Sequence, residues 1–473
     1  MRVSDDVLLR ARALIASRLG LDFAEHRQAD LERGLLRACR SASVSAPEAY
    51  LTWLATLPDE SPEWRRLASH LTVGETYFFR DRASFEALEQ HVLPSLIAAR
   101  RSDGTLRLRL WSAACATGEE PYSLAILLDR LLPDRSDWAL TILATDINPA
   151  ALEAARRACH REWAFRETPP GIRDQYFHRR GAETFKLDER IRRMVTFAPL
   201  NLAENGYPAV MTNTSAMDLI LCRNVLMYFT AEAQRATVAR LQRALVTGGW
   251  LVVSPAEGSA ELFRPLAAVN FPGAIFYREG PVPGASLPPL PPREEGRWGE
   301  GWARDFAAQP PLFPAPETES PRSMPSDPVP SPPAAQAEEA PPNTATLLQR
   351  ARALADQGHL EEAHHLCEAV LAQDRLDPEA HLLLAAILQE RAQTPTALEA
   401  LRRAIYLAPE SAPAHFLLGS LLLQQGDRRR GRRYMETVVR LLSPIPRDEA
   451  VPGSDGLTAG RLLETARAYL ESR

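Results

Sequence analysis

Two carboxylates in a tight turn, and a third at the end of the next strand, are the side chains of this sequence best placed to do chemistry. The segment Trp111 to Ala125, WSAACATGEEPYSLA, runs from an apolar strand through a turn of small residues into a helix, and Asp146 in ILATDINPA follows 28 positions after Gly118. Strand, small-residue turn, helix, and a second strand ending in an acid is the order of a nucleotide-cofactor site, the acid being placed for ribose hydroxyls. Glu119 and Glu120 stand where a dinucleotide fold seats pyrophosphate on a helix N-terminus, and two like charges there repel that anion. A cofactor with cationic groups fits better. S-adenosylmethionine, with a sulfonium and an α-ammonium in place of phosphates, meets the requirement.

Each acid also has a structural role open to it. Asp146 precedes a helix predicted from Pro149, and DINPA is a capping sequence as well as a ribose site. Thr117 and Glu120 have the spacing of a capping box, so Glu120 is as plausibly structural as ligating. Glu119 is then the better candidate for the α-ammonium.

Five blocks carry a wider likeness: LTVGETYFFRD (Leu71 to Asp81), WSAACATGEEPYSLA, ATDIN (Ala144 to Asn148), FAPLNL (Phe197 to Leu202) and LILCRNVLMYF (Leu219 to Phe229). In order and spacing they resemble the CheR-type chemoreceptor glutamate methyltransferases, over roughly residues 1 to 280. The resemblance implies S-adenosylmethionine as cofactor, a methyl-accepting chemoreceptor-like protein as substrate, and one glutamate of the Glu119/Glu120 pair as a cofactor contact. It matches Thr76 and Arg80 to cofactor-contacting residues, on one face if their segment is helical. Gly74 stands where a family asparagine is common and offers backbone contact only. Asn201 and Leu202 resemble the adenine-binding pair, an amide for a base edge and an apolar side chain for its face. Arg223, Asn224 and Val225 resemble the loop after the fourth strand, with Tyr228 at a spacing that turns its hydroxyl to the site. A glutamate carboxylate is already an anionic nucleophile at neutral pH, so Arg80 and Tyr228 are candidates to orient the acceptor and neither is given a base role.

The expected fold is α/β: an N-terminal helical domain, a Rossmann-like class I methyltransferase domain with a small antiparallel β subdomain, and C-terminal all-α tetratricopeptide repeats. Residues 1–72 carry helical spacings (Val7, Leu8, Leu14, Ile15; Leu31, Leu35; Tyr50, Leu51, Leu54) and read as a small helical domain, for which the resemblance implies substrate binding. Arg10, Arg12, Arg18, Arg27, Arg33, Arg37 and Arg40 lie along it, either as a solvated face or as a basic surface for acidic receptor helices. From 73 to 280 β-rich runs alternate with helical ones, predicting a mainly parallel sheet with ligands at the carboxyl ends of its strands. A polar insertion at about 160–192 reads as the β subdomain.

Residues 281–343 read as a linker: 18 of the chain's 39 prolines fall between 281 and 342. From 344 small residues recur every 34 positions (Ala351, Ala385, Gly419; Gly358, Ala392, Gly426; Ala363, Ala397, Gly431), the period of tetratricopeptide hairpins that bind proteins or peptides. Two repeats are clear, a third follows, and 457–471 reads as a capping helix. The resemblance extends here to the repeat-bearing subset of the family, including members of biofilm-signalling pathways. The linker implies independently folded units, so removal of 344–473 is expected to leave cofactor affinity unchanged.

Composition excludes several other classes. A net charge of -5 gives no footprint for nucleic acid, and five cysteines without metal-ligand spacing argue against both a disulfide framework and a metal centre. The scattered cysteines point to a reducing cytoplasm and no apolar stretch is long enough for a membrane span, so a soluble cytoplasmic protein is expected, and the resemblance implies recruitment to membrane receptor arrays. CRNVLMY lacks the Asn/Asp-Pro-Pro-aromatic motif of amino-methylating DNA enzymes, and Cys222 follows Leu221 rather than the proline of a cytosine C5 enzyme. The remaining alternatives are methylation of another substrate, or a cofactor-sensing scaffold acting through the repeats.

Overall fold

The computed structural model describes all residues except 1–2, 59–60, 170, 182, 210–211, 281–343, 392, 455 and 472–473. The stretch read as a linker and Ala392 of the repeat pattern therefore lie outside the described residues. Ten strands are present among those described: β1 (Arg107–Ala113), β2 (Ala139–Asp146), β3 (Cys159–Arg161), β4 (Phe177–Arg179), β5 (Thr184–Leu187), β6 (Val195–Pro199), β7 (Met217–Cys222), β8 (Leu245–Val252), β9 (Ala267–Phe271) and β10 (Ala274–Arg278). Seven form one sheet in the order β6-β2-β1-β7-β8-β10-β9. The first four junctions are parallel, and β10 pairs antiparallel with both β8 and β9. The antiparallel β9–β10 hairpin was not anticipated from the β-rich runs. Chain order reverses between β1 and β7, so the carboxyl ends of β1, β2 and β7 open onto a switch-point crevice.

Period-two alternation sends side chains to both faces of this sheet. Leu108 and Leu110 of β1, Leu219 and Leu221 of β7, and Trp250 and Val252 of β8 join one core with the helices Arg82–Ala87, Leu93–Ser102 and Glu119–Leu131. Trp111, Ala113, Ile220 and Leu251 face the other way, into a core they share with Leu8, Ile15, Leu31, Leu35, Leu51 and Leu67. The N-terminal helices Asp5–Leu19, Gln28–Ser41, Pro47–Ala55 and Pro62–Leu71 thus share one continuous core with the second face of the sheet and with the helix Ala231–Ala244, where the sequence suggested a separate small domain. Trp111 is fully buried, donates its indole N–H to Thr145 Oγ1 at 2.9 Å and meets Tyr207 edge-on. Truncating it to Ala costs about 3–5 kcal/mol by the scale for large buried aromatics.

Strands β3, β5 and β4 make the small antiparallel sheet, in that order. The repeat region forms three helical hairpins, Thr344–Asp356 with Leu360–Gln373, Pro378–Glu390 with Thr394–Leu407 and Ala412–Gln424 with Arg428–Leu442, followed by Ala459–Glu471. Small residues sit where the helices cross: a Cβ on Gly431 would stand 2.5 Å from Leu423 Cγ and 3.0 Å from the Gly419 carbonyl.

The repeats pack against the methyltransferase unit, contrary to the separation that the proline-rich stretch implied. Arg109 of β1 and Glu390, both nearly fully buried, form an ion pair at 2.6 Å, and Arg107 donates to the Glu390 carbonyl at 2.7 Å. Every residue from Ala412 to Leu422 is buried. A long linker permits docking; only the complementarity of the two surfaces determines whether it occurs. No helix among the described residues is long and apolar enough to cross a membrane.

Candidate cofactor cleft

The turn from β1 to the helix Glu119–Leu131 is held in an unusual backbone conformation. Ala114 (φ 64°) and Ala116 (φ 46°) lie in the left-handed region with Gly118 (φ 94°), which costs roughly 1–2 kcal/mol for each alanine. Gly118 has a second reason to be glycine, since a Cβ there would come within 2.9 Å of Ala155. Asp146 offsets the strain. Its Oδ2 accepts from the Ala116 N–H at 2.8 Å and its Oδ1 from the Asn148 N–H at 2.8 Å. The cap of the helix Pro149–Arg157 is Asn148, which accepts from Ala150 and Ala151, so the capping role open to Asp146 belongs to its neighbour. Burial raises the Asp146 pKa, and the backbone N–H groups pull it back. A carboxylate has about four acceptor positions and two are used, which leaves two for a ribose diol.

The two glutamates separate clearly. Glu120 borders a cleft at the carboxyl ends of the strands, whereas Glu119 does not. Glu119 takes the Thr117 hydroxyl at 2.7 Å on Oε2 and meets His160 Nδ1 at 3.0 Å through Oε1. The helix has no side-chain N-cap, so the expected capping box between Thr117 and Glu120 is not formed. Glu119, the preferred ammonium candidate from sequence, is spent beneath the turn. Glu120 accepts from Ser112 Oγ at 2.7 Å and from Arg223 at 3.1 Å. Burial pushes the Glu120 pKa up, and Arg223 and Ser112 draw it down.

Gly74, Thr76, Arg80, Asp146, Asn201, Leu202, Arg223, Asn224, Val225 and Tyr228 line the same cleft as Glu120. Their local geometry departs from expectation in two places. Thr76 and Arg80 lie on a non-helical segment; Phe78 and Phe79 anchor it in the core, and Arg80 donates to the Glu75 carbonyl at 2.6 Å. Asn201 does not hold a free amide out for a base: its Nδ2 donates to the Arg18 carbonyl at 3.2 Å and to Glu204 at 3.1 Å, and its Oδ1 accepts from Ala203 N–H at 3.0 Å. A Cβ at Gly74 would meet nothing within 4 Å, so the family asparagine would fit there.

Arg223 is buried between Glu120, the Arg80 carbonyl at 2.6 Å and Asp81 at 3.3 Å, tying the first cleft segment to the loop after β7. That loop depends on Glu257, which sequence reasoning missed. Its carboxylate accepts from the N–H groups of Asn224 and Val225, both at 2.7 Å, and from Met227 at 3.3 Å. The signal was available in SPAE after β8, a capping-box spacing that Ser254 and Glu257 do form. Arg27 was legible only as one of many N-terminal arginines. It borders the cleft, its guanidinium 4.9 Å from the centre of the Tyr228 ring, while donating to the Asp22 carbonyl at 2.8 Å.

Chemically the cleft offers carboxylates for a diol and an ammonium, apolar walls for a base, and no reactive thiol. Burial pushes the Cys115 and Cys222 thiols well above their usual range. An anionic carboxylate on the first helical turn disfavours a phosphate-bearing ligand.

Comparison with known proteins agrees with this chemistry. The family model "CheR methyltransferase, SAM binding domain" matches residues 74–266. The probable biofilm formation methyltransferase WspC of Pseudomonas putida is 31% identical over 90% of this chain and 96% of its own length. Its namesake in Pseudomonas aeruginosa is 30% identical over 91% of this chain and 98% of its own. A probable chemotaxis protein methyltransferase of Rhizobium etli is 35% identical, covering 52% of this chain and 89% of itself. With a relative of that identity aligned over nearly its whole length, repeats included, and a cleft built for a cationic nucleoside cofactor, the chain belongs to the CheR family of S-adenosylmethionine-dependent methyltransferases.

Proposed function

We propose that this protein methylates glutamate side chains of methyl-accepting, chemoreceptor-like signalling proteins, giving γ-glutamyl methyl esters, and that its repeats hold a further protein of the pathway. The observation that carries the reading is the pairing of Asp146 and Glu120 in one cleft between the sheet and the N-terminal helices, in a chain that aligns over about 90% of its length with methyltransferases named for biofilm formation.

In this reading Asp146 takes the ribose, Glu120 the α-ammonium, and the backbone at Asn201 with the Leu202 side chain the adenine. S-adenosylmethionine, when bound, supplies an electrophilic methyl on a sulfonium. The protein has little acid–base work to do, because a carboxylate acceptor is ionised at neutral pH. Its contribution is orientation and exclusion of water. Arg27 and Arg80 are each tethered by a backbone carbonyl, which leaves their charge to orient an acceptor carboxylate beside Tyr228. Tethering to carbonyls keeps either ion pair weak enough not to quench the nucleophile.

The product tests the proposal. Incubation with radiolabelled S-adenosylmethionine and receptor-containing membranes should label receptor-sized bands, and brief alkali should release the label as volatile methanol. Alkali-stable label, or methylation of nucleic acid at a comparable rate, would sink the assignment.

A further inference from the structure

We infer that the last helix of the repeat unit, Ala459–Glu471, is a strut that sets the cofactor cleft, with Arg461 as a positioning residue acting through Glu204 on Asn201. The inference rests on the assignment of the cleft to S-adenosylmethionine.

Arg461 forms an ion pair with Glu204 across 257 positions of sequence. The guanidinium lies flat against the loop: a Cβ on Gly206 would stand 3.0 Å from its Nη1. The other oxygen of Glu204 accepts from Asn201 Nδ2 at 3.1 Å. Asn201 and Leu202 border the cleft, so a residue of the repeat unit is two contacts from its wall. One turn further along the same helix, Glu464 is shared by Arg447 and by Arg65 of the helix Pro62–Leu71. That helix ends at Leu71, and Leu71 and Thr72 are also cleft residues. Positions three apart share a helix face, so one face of one helix holds two segments of the cleft, one from the N-terminal helices and one from the loop after β6.

The physical consequence is directional. The Asn201 amide has two hydrogens, spent on the Arg18 carbonyl and on Glu204. With Arg461 in place, Glu204 is held over the loop. Without it, Glu204, whose side chain is 37% exposed, is free to turn to water, and the amide loses a fixed acceptor. The loop that presents Leu202 then samples more conformations, and cofactor binding must bear the cost of ordering it. Displacement of the repeats by a partner would act on affinity by the same route.

Calorimetry with S-adenosylhomocysteine on the full chain tests this. Arg461→Ala should raise Kd about three- to tenfold, the range seen for coupling through a positioning contact. Glu204→Gln should do the same, and the double variant should be no weaker than the weaker single, because both break one chain of contacts. Arg461→Lys, which keeps the cation, should bind within about twofold of wild type. Glu204→Gln removes charge with little change of shape, so it carries the test even where Arg461→Ala lowers stability. Wild-type affinity in both single variants, additive losses in the double, or no recovery with Arg461→Lys overturns the strut while the cofactor site stands. Failure of the wild-type chain to bind S-adenosylhomocysteine overturns the cofactor assignment itself and the strut with it.

Discussion

Changing Glu120 to Gln removes one charge from the cleft and little else. The side chain is 12% exposed, with Ser112 at 2.7 Å on one oxygen and Arg223 at 3.1 Å on the other. An α-ammonium about 4 Å away would interact by ~4 kcal/mol at an effective dielectric constant near 20. The glutamine amide oxygen still accepts from the ammonium and retains roughly half of that, leaving a loss of about 2 kcal/mol, or about thirtyfold in Kd. Calorimetry should show that loss with S-adenosylhomocysteine and little change with methylthioadenosine, which lacks the amino-acid portion. Glu119→Gln should stay within about threefold for both ligands and lower Tm instead, because it breaks the Thr117–Glu119–His160 contacts at a cost of about 1 kcal/mol. Burial raises the Glu120 pKa, so in the free protein the group protonates before an ordinary carboxylate does as pH falls. Affinity for S-adenosylhomocysteine should therefore weaken with falling pH, and more steeply in the wild type than in Glu120→Gln. An equal loss in Glu119→Gln, or an equal loss of methylthioadenosine in Glu120→Gln, would refute the assignment of the ammonium to Glu120.

Asp146→Ala should weaken S-adenosylmethionine binding by about 1.5–3 kcal/mol, the scale of a charged hydrogen bond. It should also lower Tm, because Ala116 and Asn148 lose their acceptors; an unchanged Tm would contradict the role of Asp146 in holding the turn. Glu89 is buried, with its pKa pushed up to about 7 chiefly by desolvation. The protonated form favours the fold, so this contribution is present below about pH 4.5 and is lost as pH rises toward 7, about 3 kcal/mol in all. Glu89→Gln should flatten that part of the pH–stability curve and raise Tm above pH 7; a parallel curve would show that Glu89 is not its source. Glu390→Gln strips the buried Arg109 of its carboxylate at a cost of about 3 kcal/mol. Hydrogen exchange should then quicken in Pro378–Glu390 and in β1, whereas unchanged protection would mean that the docked arrangement does not depend on this pair.

The site residues were legible where local rules fix position. A strand of period-two alternation places its last residue at the sheet's carboxyl edge whatever lies beyond it, so Asp146, the turn before Glu119 and the loop from Arg223 to Tyr228 could be read from spacing and from the five family blocks. The 34-residue recurrence of small residues likewise specifies helix pairs, because close crossing is a local steric demand repeated in register. Neighbouring residues are a different matter. Glu119 and Glu120 differ by 100° around one helix turn, and which of them meets the cleft is decided by Ser112 and Arg223 on one side and by His160 on the other, of which Arg223 and His160 are distant in sequence.

Only the tertiary structure decided how the units meet. Periodicity marked the N-terminal helices as amphipathic, but their apolar faces and that of the sheet are interchangeable partners until shape selects one, and the result is a single core running from Leu31 to Ile220. A proline-rich stretch of 63 residues (281–343) constrains the distance between domains and not their contacts. That Arg109 finds Glu390, and that Arg461 reaches Glu204, follows from complementary charges brought together across hundreds of residues. The sequence by itself determined most of the elements, the cofactor chemistry and the repeats, because each follows from residue type and local spacing. Which glutamate borders the cleft, and whether the repeats dock on the methyltransferase unit, depended on long-range packing that no local period encodes.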